Sequence, residues 1–161
     1  MAELTQERLK ELLWYVPEVG TFIWLVDRSN KVKARTIAGT VSSGGYRSIK
    51  IDGKQYQAQN LAWLYMTGEW PAGLVDHKDN DCGDNRWENL RLATHQQNMF
   101  NRTLNKNNKT GIKGVSYVAK YDHYTVRISN VYYGCYRTLE EAAERAANMR
   151  EQLHGRFANH G

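Results

Sequence analysis

An adjacent pair, Asp76-His77, is followed by two asparagines at positions 89 and 98. Together these side chains supply what phosphodiester hydrolysis demands: a base to activate water, a group to orient that base, and hard oxygen donors for a cation beside the leaving oxygen. His77 is the natural base, because a neutral imidazole titrates near working pH. The Asn89 side-chain oxygen is placed to accept a hydrogen bond from one ring nitrogen and leave the other aimed at water. Asp76 and Asn98 are hard ligands suited to magnesium, which retains several waters. An Asp-His pair before a polar loop is commonplace by itself, and only the joint spacing with Asn89 and Asn98 points to chemistry. Arg86, Arg91 and Arg102 flank the set and are candidates to clamp a phosphate.

The elements that must bring these groups together follow from the pattern around them. Leu74 to His77 reads as a short strand, Lys78 to Asp84 as a polar loop, Asn89 to Leu92 as a second strand, and a helix opens near Thr94. Asp79, Asp81 and Asp84 lack the spacing and terminal Glu of a calcium loop and are expected to be solvated. Upstream, Thr5 caps a helix carrying Leu9, Leu12 and Leu13, expected to run to Pro17 and Gly20. A strand at Thr21 to Val26 comes next, then a hairpin from Tyr46 to Ala58 about Asp52-Gly53 and a short apolar helix from Asn60 to Met66. Trp14, Trp24, Trp63 and Trp70 fall on apolar stripes and are expected in the core.

Residues Thr103 to Thr110 hold little to bury and are expected to separate two domains, 1–104 and 105–161. The second contains strands at Ile112 to Ala119, Tyr124 to Ser129 and Val131 to Tyr136. A helix from Leu139 to Leu153 follows, with an alanine-rich apolar stripe that allows close approach to a sheet. The expected fold class is α+β: a strand-loop-strand-helix module, then a three-stranded antiparallel sheet packed on one helix.

Composition narrows the function classes. The 161 residues include 22 Lys and Arg against 17 Asp and Glu. The excess of acid falls in the middle, since residues 71–104 carry four basic and five acidic side chains while residues 105–161 carry nine and five. A polyanion-binding chain gains from central carboxylates where a cation offsets their repulsion of phosphate. No apolar run approaches the roughly 20 residues of a membrane span, so a soluble intracellular protein without a membrane partner is expected. Cys82 and Cys135 lie far apart, which excludes a four-cysteine zinc site and a disulfide scaffold.

Val75-Asp76-His77, Asn85 to Leu92 and Thr94 to Asn98 resemble the HNH, or ββα-metal, nucleases. The wider stretch from Gly45-Tyr46 through Asn101-Arg102, including Leu61 to Gly68, resembles the phage HNH homing endonucleases, with the core motif at about 74–102. The resemblance implies that His77 is the general base, that Asn89 orients it, and that Asp76 and Asn98 bind one divalent metal. Many members have His where Asn98 stands, and some have a further His at the position of Arg102. Their absence favours magnesium, with manganese able to substitute. His95 is an alternative ligand or phosphate contact. Also implied are double-stranded DNA as partner, nicking by a monomer or weak dimer, no small-molecule cofactor, and a phage-encoded protein acting in the cytoplasm of a bacterial host.

Asn108 to Tyr117, Tyr133 to Tyr136 and Thr138 to Ala143 resemble the APETALA-type DNA-binding domain of plant ethylene-response factors, which lays its sheet in the major groove. The positions matching its DNA-facing residues are Lys113, Ser116, Arg127, Ser129 and Tyr132. The first strand lacks the plant arginines, having Ser116 and Val118 there, so sequence preference does not carry over. The combined expectation is a site-directed, metal-dependent DNA endonuclease of homing type. The rival readings are a non-catalytic DNA-binding protein that kept the HNH fold, and an RNA-directed module.

Overall fold

The computed structural model describes residues 3–160. The chain divides into two compact units, one ending at His95 and the other beginning at Gln96. Among the described residues there are four helices and four small antiparallel sheets, an α+β fold as the residue pattern predicts.

In the first unit, α1 spans Gln6–Leu12, with the Thr5 side chain accepting from the Arg8 N–H at its start. The helix stops well before Pro17. Leu13–Val16 turns directly into strand β1, which pairs with β2 at Thr21–Trp24. Leu13 was expected to continue the helical stripe. However, the run Leu-Trp-Tyr-Val alternates, burying Leu13 and Tyr15 and turning Trp14 outward at 52% exposure, so Trp14 is not part of the core.

A second sheet joins β3 (Thr40–Val41), β4 (Arg47–Ile51) and β5 (Lys54–Gln57). The β4–β5 turn puts Asp52 at φ 45° and Gly53 at φ 86°, the left-handed pair that a two-residue hairpin of this twist requires. Helix α2 (Ala58–Thr67) follows at once. Leu9, Leu12, Phe22, Ile49, Ile51, Leu61 and Leu64 close one core, on which Val75 and Trp87 also pack. Each such aliphatic or aromatic side chain contributes about 1.5–3 kcal/mol by leaving water. That core anchors the third sheet, β6 (Leu74–His77) against β7 (Leu90–Ala93), in register Asp76 with Arg91 and His77 with Leu90. A short 3-10 turn at Trp87–Asn89 precedes β7, where an extended strand start was expected.

Helix α3 covers His95–Asn101, so all but its first residue belongs to the second unit. There β8 (Val115–Val118), β9 (His123–Ile128) and β10 (Val131–Tyr136) form a sheet in the order β10-β9-β8. Helix α4 (Leu139–His154) opens with a reciprocal capping box between Thr138 and Glu141. Its Ala142, Ala146 and Met149 pack with Val115, Val126 and Ile128 in a separate core. The other face of β9 carries Thr125 and Arg127.

Candidate active site and nucleic-acid interface

At the end of β6, Asp76 and His77 are buried, at 6% and 5% exposure. Arg91, directly across the strand pair, donates from Nε to Asp76 Oδ2 at 2.8 Å, so the carboxylate is held by a largely enclosed guanidinium. The Tyr46 ring and the His77 imidazole meet in a T-shaped contact, with centroids 6.1 Å apart.

The loop between the strands is organised by its own polar groups. Asp79 Oδ1 accepts from the Asp81 N–H at 2.8 Å, and Asp81 Oδ1 accepts from the Gly83 N–H at 2.8 Å. Asp84 takes a forked contact from Arg86, whose guanidinium holds the Asp84 carboxyl down at about 2. Arg86 also reaches Glu88, and these acids push its own pKa up. Asp79 and Asp81 are exposed, as a solvated loop predicts, and the three acids also order the loop through these contacts.

The two asparagines of this segment divide the work differently from the sequence expectation. Asn89 spends its amide on the loop: Oδ1 accepts from the Asp79 N–H at 3.2 Å, and Nδ2 donates to Asp79 Oδ1 and to the Asp84 carbonyl, both at 2.9 Å. It is Asn85, 1% exposed, whose Oδ1 stands 3.2 Å from His77 Nε2. Asn85 sits in an Asp-Asn-Arg run that reads as an ordinary turn. Nothing in the residues around Tyr15 or Tyr46 marks either for this site.

A family model described as HNH endonuclease matches residues 56–100. An uncharacterized HNH endonuclease of Acanthamoeba polyphaga mimivirus is 36% identical over 124 residues, 73% of this chain and 63% of that protein. Protein 3.8 of Escherichia phage T7 is 31% identical over 100 residues, 60% of this chain and 83% of the phage protein. The chain belongs to the HNH endonuclease family. It spans less than two thirds of the mimivirus relative's length. A solved structure of DNA binding and cleavage by the HNH homing endonuclease I-HmuI is 19% identical, with a TM-score of 0.42 over 89% of this chain and 85% of that one.

Within the HNH segment, the structure therefore gathers Asp76, His77, Asn89, Arg86 and Arg91 about the β6–β7 hairpin. Asn98 and Arg102 lie at and just beyond α3, in the second unit. Asn98 is half-buried and His95 is exposed. Among the described residues no three His, Cys, Asp or Glu side chains gather as a metal cluster. Asp76 is a buried, hard carboxylate donor, the kind of ligand that suits a cation keeping most of its waters, such as magnesium.

In the second unit the five residues matched to a DNA-facing sheet do not share one surface. Ser116, Arg127 and Tyr132 are exposed, and Arg127 lies over the Tyr132 ring at 5.9 Å. Lys113 turns away. Its Nζ donates to the Phe100 carbonyl at 2.9 Å and to that of Arg102, capping the end of α3, and burial beside Arg150 lowers its pKa. Ser129, in the tight turn between β9 and β10, contacts His154 of α4 at 3.2 Å.

Proposed function

We propose that this HNH chain is a site-directed DNA endonuclease of homing type that nicks duplex DNA with a divalent cation. His77 takes the proton from the attacking water, and Asn89 keeps the β6–β7 loop in the shape that presents it. Asp76 and Asn98 would hold magnesium or manganese, which when bound supplies charge stabilisation at the leaving 3′ oxygen. Arg86, Arg91 and Arg102 would contact phosphates of the DNA. Residues 1–104 form the nuclease and residues 105–161 an APETALA-type DNA-binding module. Ser116, Arg127 and Tyr132 meet the groove, while Lys113 and Ser129 support that surface from behind.

The observation that carries this reading is the buried Asp76-His77 pair at the strand end, inside the segment that the family model covers. The test is a supercoiled-plasmid assay at low salt with magnesium, manganese or excess chelator, on the wild type and on His77→Ala. Metal-dependent open-circular product that disappears in His77→Ala is expected. Equal cleavage by both proteins overturns the role of His77. DNA binding without any cleavage moves the chain to the non-catalytic reading, and preferred cleavage of RNA to the RNA reading.

A further inference from the structure

We propose that Asn85, clamped by the N-terminal hairpin, is a positioning residue that holds the His77 ring in one orientation and in the Nε2–H tautomer. This deepens the nuclease reading and rests on it for the role of His77 in cleavage.

The chemistry of the Asn85 amide fixes the direction of its two side-chain contacts. The Asn85 amide has two ends. One faces the Gly83 carbonyl at 3.1 Å, and a carbonyl only accepts, so the end facing it must be Nδ2. The other end is then Oδ1, also an acceptor, and it stands 3.2 Å from His77 Nε2. An acceptor facing a neutral imidazole nitrogen requires the proton on that nitrogen. The basic lone pair then belongs to Nδ1. Asn89 cannot share this task, since all three of its amide contacts go to Asp79 and Asp84.

Asn85 is itself held from a distance of seventy positions. The Tyr15 hydroxyl on β1 donates to the Asn85 carbonyl at 2.7 Å, and burial raises the pKa of this phenol so that it keeps its proton. The Pro17 carbonyl accepts from the Trp87 N–H at 2.9 Å. Between these two contacts Gly20, at φ +71°, lies against the Asn85–Arg86 peptide. A Cβ there would stand 2.8 Å from the Asn85 carbonyl oxygen and closer still to the Asn85 carbonyl carbon and the Arg86 nitrogen. The β1–β2 turn is thus shaped to press on the backbone of the residue that holds the imidazole. These contacts add to those that Gly83 and His77 make with Asn85 inside the β6–β7 hairpin.

The test uses the full chain with 15N-labelled histidine, the His77 signals being assigned by their loss in His77→Gln. Long-range proton–nitrogen spectra of the neutral ring distinguish the two tautomers without DNA or metal. The wild type is expected to show Nε2–H. Asn85→Ala, and the nearly isosteric Asn85→Leu in case the smaller residue loosens the loop, should give a mixture or the Nδ1–H form. Asn85→Asp, which keeps an acceptor oxygen in place, should retain Nε2–H. On saturating plasmid DNA, Asn85→Leu should lower kcat at least roughly tenfold with KM unchanged, because a base is effective only while its ring is held in the productive orientation. A wild type in the Nδ1–H form, or Asn85→Ala and Asn85→Leu proteins whose His77 signals match the wild type, overturns the proposal even if the protein cuts DNA. A tautomer change in Asn85→Leu together with a wild type that never cleaves supports the positioning of the ring and overturns the nuclease reading instead.

Discussion

The β6–β7 hairpin and the open face of the C-terminal sheet treat polar side chains in opposite ways. In the hairpin, Asp76, His77, Asn85 and Asn89 are buried and bonded to named neighbours on both strands and on the intervening loop. On the sheet, Ser116, Arg127 and Tyr132 stand in solvent, and the contact described between them is a loose cation–ring pairing. A buried polar network is costly when half-made and rigid when complete. A solvated arginine retains its rotamer freedom until a partner arrives. The first arrangement suits a group whose lone pair must point one way, and the second suits adaptable contact with a polyanion.

That contrast yields expectations of descending size. His77→Ala should lower cleavage by about 10²–10⁴-fold while DNA binding in a gel-shift assay is unchanged; a parallel fall in both would erase the distinction between the regions. Asn89→Ala leaves the Asp79 N–H and the Asp84 carbonyl without their partner. It should destabilise the chain by about 1–3 kcal/mol in urea unfolding, with cleavage falling as the loop loosens. Gly20→Ala combines a positive φ with backbone overlap and should cost about 1–3 kcal/mol by the same measurement. Arg127→Ala should weaken binding about equally across DNA sequences or relax specificity at one position, reducing the salt slope by about one, with kcat on saturating DNA unaltered. If Arg127→Ala instead lowers kcat, the sheet participates in catalysis and the contrast fails.

The smallest effect concerns pH. The Asp84 carboxyl is lowered from 3.8 to about 2 by Arg86, so its stabilisation is present above the ordinary value and disappears as pH falls toward 2. Asp84→Asn should flatten that acid limb in thermal melts between pH 4 and 2. The neutral-pH melting temperature should also drop, because the Arg86 fork is lost.

The sequence carried the elements wherever a local rule decided them. Asp52-Gly53 sets a turn by its own backbone preferences, Thr138 and Glu141 cap α4 reciprocally, and Leu74 to His77 is bounded as a strand on both sides. It misled where two periodicities overlapped: Leu13 fits the end of a helical stripe and the start of an alternating strand equally well, and tertiary pairing with Trp24 chose the strand. Trp14 followed that choice outward. Asn85 was illegible for a different reason. Its environment is made by Tyr15, Gly20 and Gly83, and no local window contains the first two together with the loop they press on. Lys113 and Ser129 matched a family pattern by position, but the direction of a side chain depends on what packs behind it, here α3 and α4.

The Tyr15–Asn85 hydrogen bond also bears on folding order. It closes a span of seventy residues, and contacts of such separation are entropically expensive and tend to form late. The local β6–β7 hairpin has no such span to close. After rapid dilution from denaturant, helical and strand circular dichroism should therefore return ahead of cleavage activity. A newly made chain would acquire its secondary structure first and the fixed setting of Asn85 afterwards.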